Sequence, residues 1–303
     1  MKIVHNGKEI GTASALTQCK IFDRYGGMLD NLTLAFPHSD NTLTLSKFDE
    51  ISVSEKGFNS GVMYLDDYRR SYDSFLVNAV SCLPTNKVKK NRIWLNVRLL
   101  KIIGDISVNC GLSPLTYGVE DYAYKCLSQT NQTDLEFLAM ICEREGYSVK
   151  CDNGNLIVFN ERLIENESKA LSLSSGDVSP GYTFSRSING LRSVKIAHYS
   201  VENNKYIESI AEDGKIDGGG DLRLIPCDSV AEAARYAKGL LRAANKNHIT
   251  GSLSMEYNPA ISAATCLNLT GFDEFNGRYV VTEAAHDLIK ETTTIKIRRT
   301  LDY

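Results

Sequence analysis

Histidine and cysteine are the residues of this chain best able to bind a metal ion or act in catalysis, and neither is spaced for that chemistry. The histidines occur at positions 5, 38, 198, 248 and 286, without an HxxxH or HExxH pair. No two of the eight cysteines lie within four residues of each other, which excludes the CxxC spacing of redox pairs and zinc ribbons. We therefore predict no metal site and no cofactor.

The best candidate for a general base is His286, because Asp287 follows it and could orient the imidazole ring. A nucleophile for such a base is missing, since no Ser or Cys lies in a GxSxG elbow. Adjacent acids such as Asp66 and Asp67 are typical of solvent-exposed faces, and sequence alone cannot place two carboxylates in one cleft. We predict no catalytic residues and a protein that is not an enzyme.

Two further features could indicate a ligand site. Gly218–Gly220 form a glycine run, but Asp221 and Leu222 follow it instead of the Lys and Ser or Thr of a phosphate-binding loop. We interpret residues 215–221 as a flexible hinge. Trp94 falls on an apolar helical stripe, which favours core packing over stacking on a sugar or a base.

The composition excludes several classes of protein. The 303 residues contain 34 Lys and Arg against 37 Asp and Glu, a net charge of −3, so no polybasic surface for nucleic acid or anionic lipid is expected. No window reaches the roughly 18 apolar residues of a membrane helix. The N-terminal residues lack the apolar stretch of a signal peptide, which indicates synthesis in the cytoplasm and reduced thiols.

The periodicity of apolar residues predicts three segments. Residues 1–85 alternate in short runs broken by turns, which indicates a small antiparallel β-barrel or sandwich. In 86–165, apolar residues from Ile93 to Ile106 recur at helical spacing and predict a helix that ends near Gly111. Residues 166–303 return to alternating strands, with one helix at about 229–245 that begins at a Ser229 and Glu232 capping box.

Two local signals within 86–165 are strong. Thr133 and Glu136 form a capping box that predicts the start of a second helix, and Gly146 predicts its end. Residues 152–154 read Asp-Asn-Gly between two short apolar runs, which is typical of a β-hairpin. The predicted fold class is α+β, mainly β, with two antiparallel barrels flanking an α+β insert.

Several runs of residues resemble the phage late control protein D family. Residues 130–149 are similar to its central segment, with a polar start, an acidic residue, Phe-Leu and a helix closing on Gly-Tyr. The Ala-rich helix at 229–244 and the strands at 258–288 are similar to its C-terminal part. Residues 26–36 and 47–55 resemble its first barrel, although Phe48 stands where the family usually has Gly.

This resemblance implies a baseplate or tail hub protein of a contractile injection particle. Such hubs are homotrimers in which each chain carries two barrels like those of tail-tube proteins, so that three chains present a pseudo-sixfold ring. The resemblance therefore implies as partners other copies of this chain, the hexameric tail tube and the trimeric spike, with the tape measure and baseplate wedge proteins as further candidates. It implies assembly into a virion tail or a phage-tail-like bacteriocin, with neither a membrane nor specific nucleic acid as partner.

Type VI secretion spike proteins are similar to this hub fused to a spike at its C-terminus. The analogy places residues 291–303 near the spike, and we predict spike or trimer contacts at Arg298, Arg299 and Tyr303. Two alternative functions stay open from the sequence. One is a tail-associated peptidoglycan hydrolase, and the other is a receptor-binding or sugar-binding module, for which the 15 tyrosines give some reason.

Overall fold

The computed structural model describes residues 1–10, 16–37, 44–83, 87–202 and 204–303. His38 and the predicted boundary between residues 85 and 86 lie outside the described residues. The described part of the N-terminal segment consists of strands only. They are β1 (Lys2–His5), β2 (Lys8–Glu9), β3 (Gln18–Arg24), β4 (Asn31–Pro37), β5 (Glu50–Glu55), β6 (Phe58–Asn59), β7 (Met63–Arg70) and β8 (Ser74–Val80).

The middle segment mixes strands with three helices. Its elements are β9 (Lys90–Arg98), α1 (Leu99–Asn109), β10 (Ser113–Tyr117), β11 (Ala123–Gln132), α2 (Asp134–Glu145), β12 (Tyr147–Asp152), β13 (Asn155–Asn160) and α3 (Glu161–Glu165). The last segment is strand-rich again. It contains β14 (Leu171–Ser174), β15 (Thr183–Arg186), β16 (Leu191–Ser200), β17 (Lys205–Glu212), β18 (Gly219–Leu224), α4 (Val230–Asn245), β19 (Ile249–Glu256), β20 (Cys266–Thr270), β21 (Gly277–Asp287) and β22 (Thr292–Arg299).

The first and last segments share one large sheet. Its main path among the described strands runs β15-β19-β22-β21-β3-β4-β8-β7-β5-β1-β2. The seam between the segments is the antiparallel pair β3 and β21, where Ile21 lies opposite His286. None of the sheets closes into a barrel in the described residues. The mainly β character is confirmed, and the closed barrels are not.

Two apolar cores lie under this sheet, one on each side of the seam. The N-terminal core is built from β1, β3–β5, β7 and β8 and includes Leu32, Leu34 and Phe36. The C-terminal core includes Leu253, Tyr279 and Ile295. Leu32, Leu34 and Phe36 occupy every second position of β4, because successive residues of a strand point to opposite faces.

A third core places part of the last segment with the insert. Val194, Ile196 and Ile207 of the sheet β17-β16-β18 and the apolar face of α4 join the same cluster as α1 and α2. Residues 191–245 therefore pack on the insert, although their position in the sequence placed them with the second β segment. The insert itself docks on the seam through Phe159, which meets Tyr25 edge to face at 5.5 Å.

The local signals of the middle segment are confirmed. The Thr133 hydroxyl accepts from the Glu136 amide, and the Glu136 carboxylate accepts from the Thr133 amide, so α2 begins at a full capping box. Gly146 ends α2 in the left-handed conformation with φ 77°. Strands β12 and β13 form the predicted hairpin around Asn153 and Gly154, both with positive φ.

The helix predicted from Ile93 is wrong in its first turn and a half. Residues up to Arg98 form β9, which pairs with β11, and α1 begins only at Leu99. The apolar positions Ile93, Trp94 and Val97 fit a helical stripe, but the same positions also fit a twisted strand. Pairing with β11 decided between the two, and pairing is not visible in the local sequence.

The glycine run interpreted as a hinge is partly a strand. Gly219 and Gly220 belong to β18, which pairs in parallel with β16. A Cβ on Gly218 would lie 2.0 Å from the carbonyl oxygen of Gly190, and one on Gly220 would lie 2.7 Å from the Ser193 hydroxyl. Gly218 thus allows a close approach of two backbones, which is a role distinct from flexibility.

Candidate functional site

Arg298, predicted from the sequence as a contact residue, is buried inside the chain and only 1% exposed. It lies near the end of β22, where its Nε donates to the Tyr25 hydroxyl at 3.1 Å. Its Nη2 donates to Glu161 Oε2 at 3.2 Å, and its Nη1 lies 2.6 Å from Glu165 Oε1. Arg298 thus ties the last strand of the sheet to α3 of the insert.

Two further cations surround the same carboxylates. Arg242 of α4 contacts Glu161 and Glu165, and Lys246 Nζ lies 3.0 Å from Glu161 Oε1. Burial by itself would raise the pKa of Glu161, but the charges of Arg298, Lys246 and Arg242 lower it to about 2. Glu161 therefore stays ionised, and the cluster joins α3, α4 and β22 as a buried ionic junction.

Arg299 and Tyr303 are half-buried, with partners in the chain. Arg299 Nη2 donates to the carbonyl oxygens of Glu274 at 3.1 Å and Asn276 at 2.6 Å. The Tyr303 hydroxyl accepts from Asn245 Nδ2 at 3.1 Å. Both residues keep an exposed portion, so contact with another protein through Arg299 and Tyr303 remains a prediction.

His286 and Asp287 do not form a catalytic pair in this fold. The buried His286 ring uses Nδ1 with the Thr293 hydroxyl at 3.0 Å and Nε2 with the Ile261 carbonyl oxygen at 3.1 Å. Asp287 instead accepts from the backbone amides of Ile289 and Lys290. Burial lowers the pKa of His286, so its neutral form is favoured and its role in the fold is structural.

The described residues contain no cluster of three or more His, Cys, Asp or Glu side chains that could hold a metal ion. Among them, no helix is both long and apolar enough to cross a lipid bilayer. Trp94 is buried and stacks on Phe137 with ring centroids 5.7 Å apart, which confirms the core interpretation. The surfaces with the clearest capacity for binding are instead two exposed sheet faces.

The first exposed face lies on the sheet β17-β16-β18. Its inner side chains Val194, Ile196 and Ile207 are buried against the insert. The opposite face is exposed and carries large apolar side chains beside the Lys195–Glu208 ion pair of 2.8 Å. These side chains are Tyr199, Tyr206, Ile210, Leu222 and Leu224. An exposed apolar patch of this kind is typical of a protein contact.

The second exposed face lies on the two-stranded sheet β9-β11. Trp94 and Leu127 lie opposite each other on its buried side. Ile93 and Leu95 are exposed on its outer side, opposite Ser128 and Cys126. Sequence reasoning missed this face because it placed residues 93–98 in a helix, and it missed the first because it assigned 191–245 to a barrel.

Strands β21 and β7 also carry apolar residues, and they differ in how far their side chains are buried. In β21, side chains on both faces are buried, and Val280 belongs to the apolar cluster that contains Tyr25 and Phe159. Its apolar character thus serves packing within the chain. In β7, the outer residue Tyr68 is exposed.

Comparison with known proteins gives matches of structure. No protein-family model and no curated protein matches the chain. A 43 kDa tail protein of prophage MuSo2 from Shewanella oneidensis matches with a TM-score of 0.74 at 13% identity, over 98% of both chains. A tail protein from Neisseria meningitidis MC58 matches with a TM-score of 0.77 at 11% identity, over 98% of this chain and 96% of that one.

A type VI secretion protein has a similar structure. The E. coli protein, described as a component of that system with structural similarity to two T4 bacteriophage tail proteins, matches with a TM-score of 0.67 at 11% identity. The match covers 100% of this chain and 78% of the E. coli chain. The resemblance seen in the sequence is thus confirmed in three dimensions, and this chain has the fold of phage tail proteins and a type VI secretion component.

Proposed function

We propose that this chain is a structural hub protein of a phage tail or related contractile particle, and that it is not an enzyme. The observation that carries the proposal is the match to two tail proteins over nearly the whole of each chain. A correspondence of that extent leaves little of this chain over for a separate catalytic domain. It favours a function that belongs to the shared fold.

The proposed assembly is a homotrimer that adapts a sixfold tube to a threefold spike. Each chain carries two β units with separate apolar cores, joined at the β3–β21 seam. Three chains would supply six such units, which matches the symmetry of a hexameric tube. Heterologous contacts of this kind close into a ring when the rotation between neighbours is 120°.

In this proposal, one face of the ring binds the tail tube and the other binds the spike, with residues 291–303 on the spike side. Arg299 and Tyr303 would supply contacts there through their exposed portions. Arg298 would act indirectly, because its side chain is held by Glu161, Glu165 and Tyr25. The tape measure and wedge proteins are further proposed partners, and the assembled particle is the proposed location.

The test is reconstitution with the tube and spike proteins of the same gene cluster. We expect the purified chain to form trimers, alone or once spike protein is added, as measured by light scattering. Electron microscopy of assembled tails should place it between tube and spike. A chain that stays monomeric with both partners present, and that is missing from the tail tip, would contradict the proposal.

A matched pair of variants tests the C-terminal contact. We expect Arg299→Ala to weaken spike binding about tenfold, because an interface charge is lost. Lys290→Ala, an exposed cation in the turn between β21 and β22, is the control and should leave binding unchanged. Equal binding by both variants would place the spike contact elsewhere.

A further inference from the structure

Several described strands lie at the edge of a sheet, and two of them, β9 and β17, have similar lengths and a similar pattern of buried and exposed side chains. β9 pairs with β11 on one side, and no other described strand pairs with it; β17 pairs with β16 in the same way. A free edge presents a row of unpaired backbone N–H and C=O groups, which is a template for pairing with another chain. The two strands have similar lengths, nine residues in β9 and eight in β17.

Both edge strands are amphipathic in a way that an added strand would continue. On β9 the inner residue Trp94 is buried, while Ile93 and Leu95 are 65% and 66% exposed. On β17 the inner residue Ile207 is buried, while Tyr206 and Ile210 are 71% and 54% exposed. Pairing of the two edges would align buried face with buried face and place the exposed apolar side chains beside each other.

The residues of the two edge segments carry opposite formal charge, and the cations of β9 also pair within the chain with Asp134, Asp105 and Asp121. Residues 87–101, which contain β9, include six Lys or Arg and no Asp or Glu. Residues 202–213, which contain β17, include four acids and one Lys. Opposite charges favour pairing of β9 with β17, and like charges disfavour pairing of β9 with a second β9. A two-fold contact through either strand alone is therefore disfavoured.

The position of β11 indicates that the contact cannot form within one chain. Lys125 of β11 reaches the turn after β16, where its Nζ lies 3.1 Å from Glu202 Oε2, and it also lies 3.5 Å from Asp228 Oδ1. Thus β11 is the strand on the side of the chain's own β17-β16-β18 sheet. The free edge of β9 is on the other side of β11, away from that sheet.

We propose that β9 of one copy pairs with β17 of the next copy and so forms the contact between subunits. The result is a five-stranded sheet across the interface, in the order β11-β9 from one copy and β17-β16-β18 from its neighbour. The contact is heterologous, because different surfaces of the two copies meet, and repeated contacts of this type close a ring. The inference rests on the proposed trimer and specifies which surfaces build it.

Thiol cross-linking tests the contact in the full-length chain. The background is Cys126→Ser, since Cys126 is the exposed thiol among the described cysteines. We introduce Ile93→Cys and Ile210→Cys together, treat the protein with a short bifunctional maleimide and run denaturing gels. A head-to-tail contact predicts a band of covalently closed trimers. Each single variant supplies one of the two partners and should stay monomeric on the gel.

The control for cross-linking places the second thiol elsewhere. Val108→Cys lies on α1, where residue 108 is exposed and belongs to neither edge. Combined with Ile210→Cys, it should give no cross-linked species. Closed trimers with this control pair, or none with the test pair while light scattering shows trimers, would overturn the proposed contact and leave the hub function standing.

Charge reversal gives an independent readout. Glu208→Lys with Glu212→Lys should raise the concentration needed for trimers about tenfold or more, because both edges become basic. Adding Lys87→Glu and Lys89→Glu to the same chain should restore assembly, with thermal unfolding confirming that each variant folds. If the concentration needed for trimers is the same in all these variants, the proposed contact is overturned. If the native chain never assembles, even with tube and spike proteins present, the contact and the hub function are overturned together.

Discussion

The buried ionic junction is the most consequential side-chain arrangement of this molecule. Glu161 and Glu165 are almost fully buried and share three cations, which are Arg242 of α4, Lys246 directly after α4 and Arg298 of β22. Removing charges from water is costly, and a buried pair repays that cost only when its partners are all present. The junction therefore penalises any arrangement in which α3, α4 and β22 do not meet.

Acid should weaken this junction. The folded-state pKa of Glu161 is lowered to about 2, below the roughly 4.3 of an unfolded Glu. Its stabilising effect is therefore complete above about pH 5 and is lost as the pH falls toward 2. We expect the midpoint of thermal unfolding to drop more steeply below pH 5 in the native chain than in Glu161→Gln.

Glu161→Gln also has an effect at neutral pH. Loss of one buried carboxylate leaves the cations under-compensated, which we expect to lower the free energy of unfolding by about 3–5 kcal/mol. Chemical denaturation at pH 7 measures this change. Parallel pH profiles for the native chain and the variant would show that Glu161 does not supply the acid sensitivity.

Adjacent arginines at the end of β22 should differ sharply. Arg298→Met removes a buried partner of both carboxylates, and we expect it to lower the free energy of unfolding by about 3–5 kcal/mol. Arg299→Met, the matched control, removes a half-exposed side chain that bonds to two carbonyl oxygens. We expect it to cost less than about 1.5 kcal/mol. Similar losses in urea denaturation would argue against the different roles assigned to Arg298 and Arg299.

At the scale of elements, close packing between α2 and α4 depends on one glycine. Gly239 lies in the middle of α4, where a Cβ would lie 2.1 Å from the Arg144 carbonyl oxygen and 2.8 Å from the Glu143 carbonyl oxygen. Both atoms belong to the backbone at the end of α2, so they cannot rotate away as a side chain can. The helices must separate to admit a methyl group.

A pair of Gly→Ala variants measures this packing. Ala forms helices better than Gly by about 1 kcal/mol, so Gly104→Ala in α1, where a Cβ meets nothing within 4 Å, should stabilise the chain by up to that amount. Gly239→Ala should instead destabilise it by about 1–3 kcal/mol, because overpacking costs more than propensity gains. Thermal unfolding compares the two, and stabilisation by both would contradict the close contact.

The element scale also separates signals that the sequence carries from those it lacks. The capping box of Thr133 and the hairpin around Asn153 are correct because the atoms that satisfy each other lie within a few residues. The Ser229 hydroxyl caps α4, but Glu232 bonds to the amide of Asp228 instead of Ser229. Strand β9 was missed because its pairing partner begins 25 residues after its last residue.

At the scale of the whole molecule, the β3–β21 seam makes the two β segments one sheet. Arg24 Nε lies 2.6 Å from Glu283 Oε2, and Lys20 and Asp287 form a second ion pair across the seam. Lys150 of the insert reaches the same region, with its Nζ 2.6 Å from Asp23 Oδ1. The N-terminal strands are thus attached to both other parts of the chain.

This attachment predicts cooperative unfolding. Strands β3 and β21 supply each other's backbone partners, so neither segment can open without exposing the other. We expect amides of β3 and β21 to exchange hydrogen with the same free energy of opening. The amides of β6, a two-residue strand paired with β5 alone among the described strands, serve as the control and should exchange sooner. A separate early transition of β3 would indicate independent domains.

The sequence by itself determined the class of fold, most strands, the caps of α2 and the resemblance to tail hub proteins. These properties depend on alternation, on hydrogen bonds between close neighbours and on residue types. Tertiary structure decided that the first and last segments share a sheet, that residues 191–245 join the insert and that Arg298 is buried. Each of these depends on contacts between residues that are far apart in the sequence. Across the seam, for example, Arg24 and Glu283 are 259 residues apart. Such pairings are set by the packing of the whole chain, which no local pattern of apolar residues specifies.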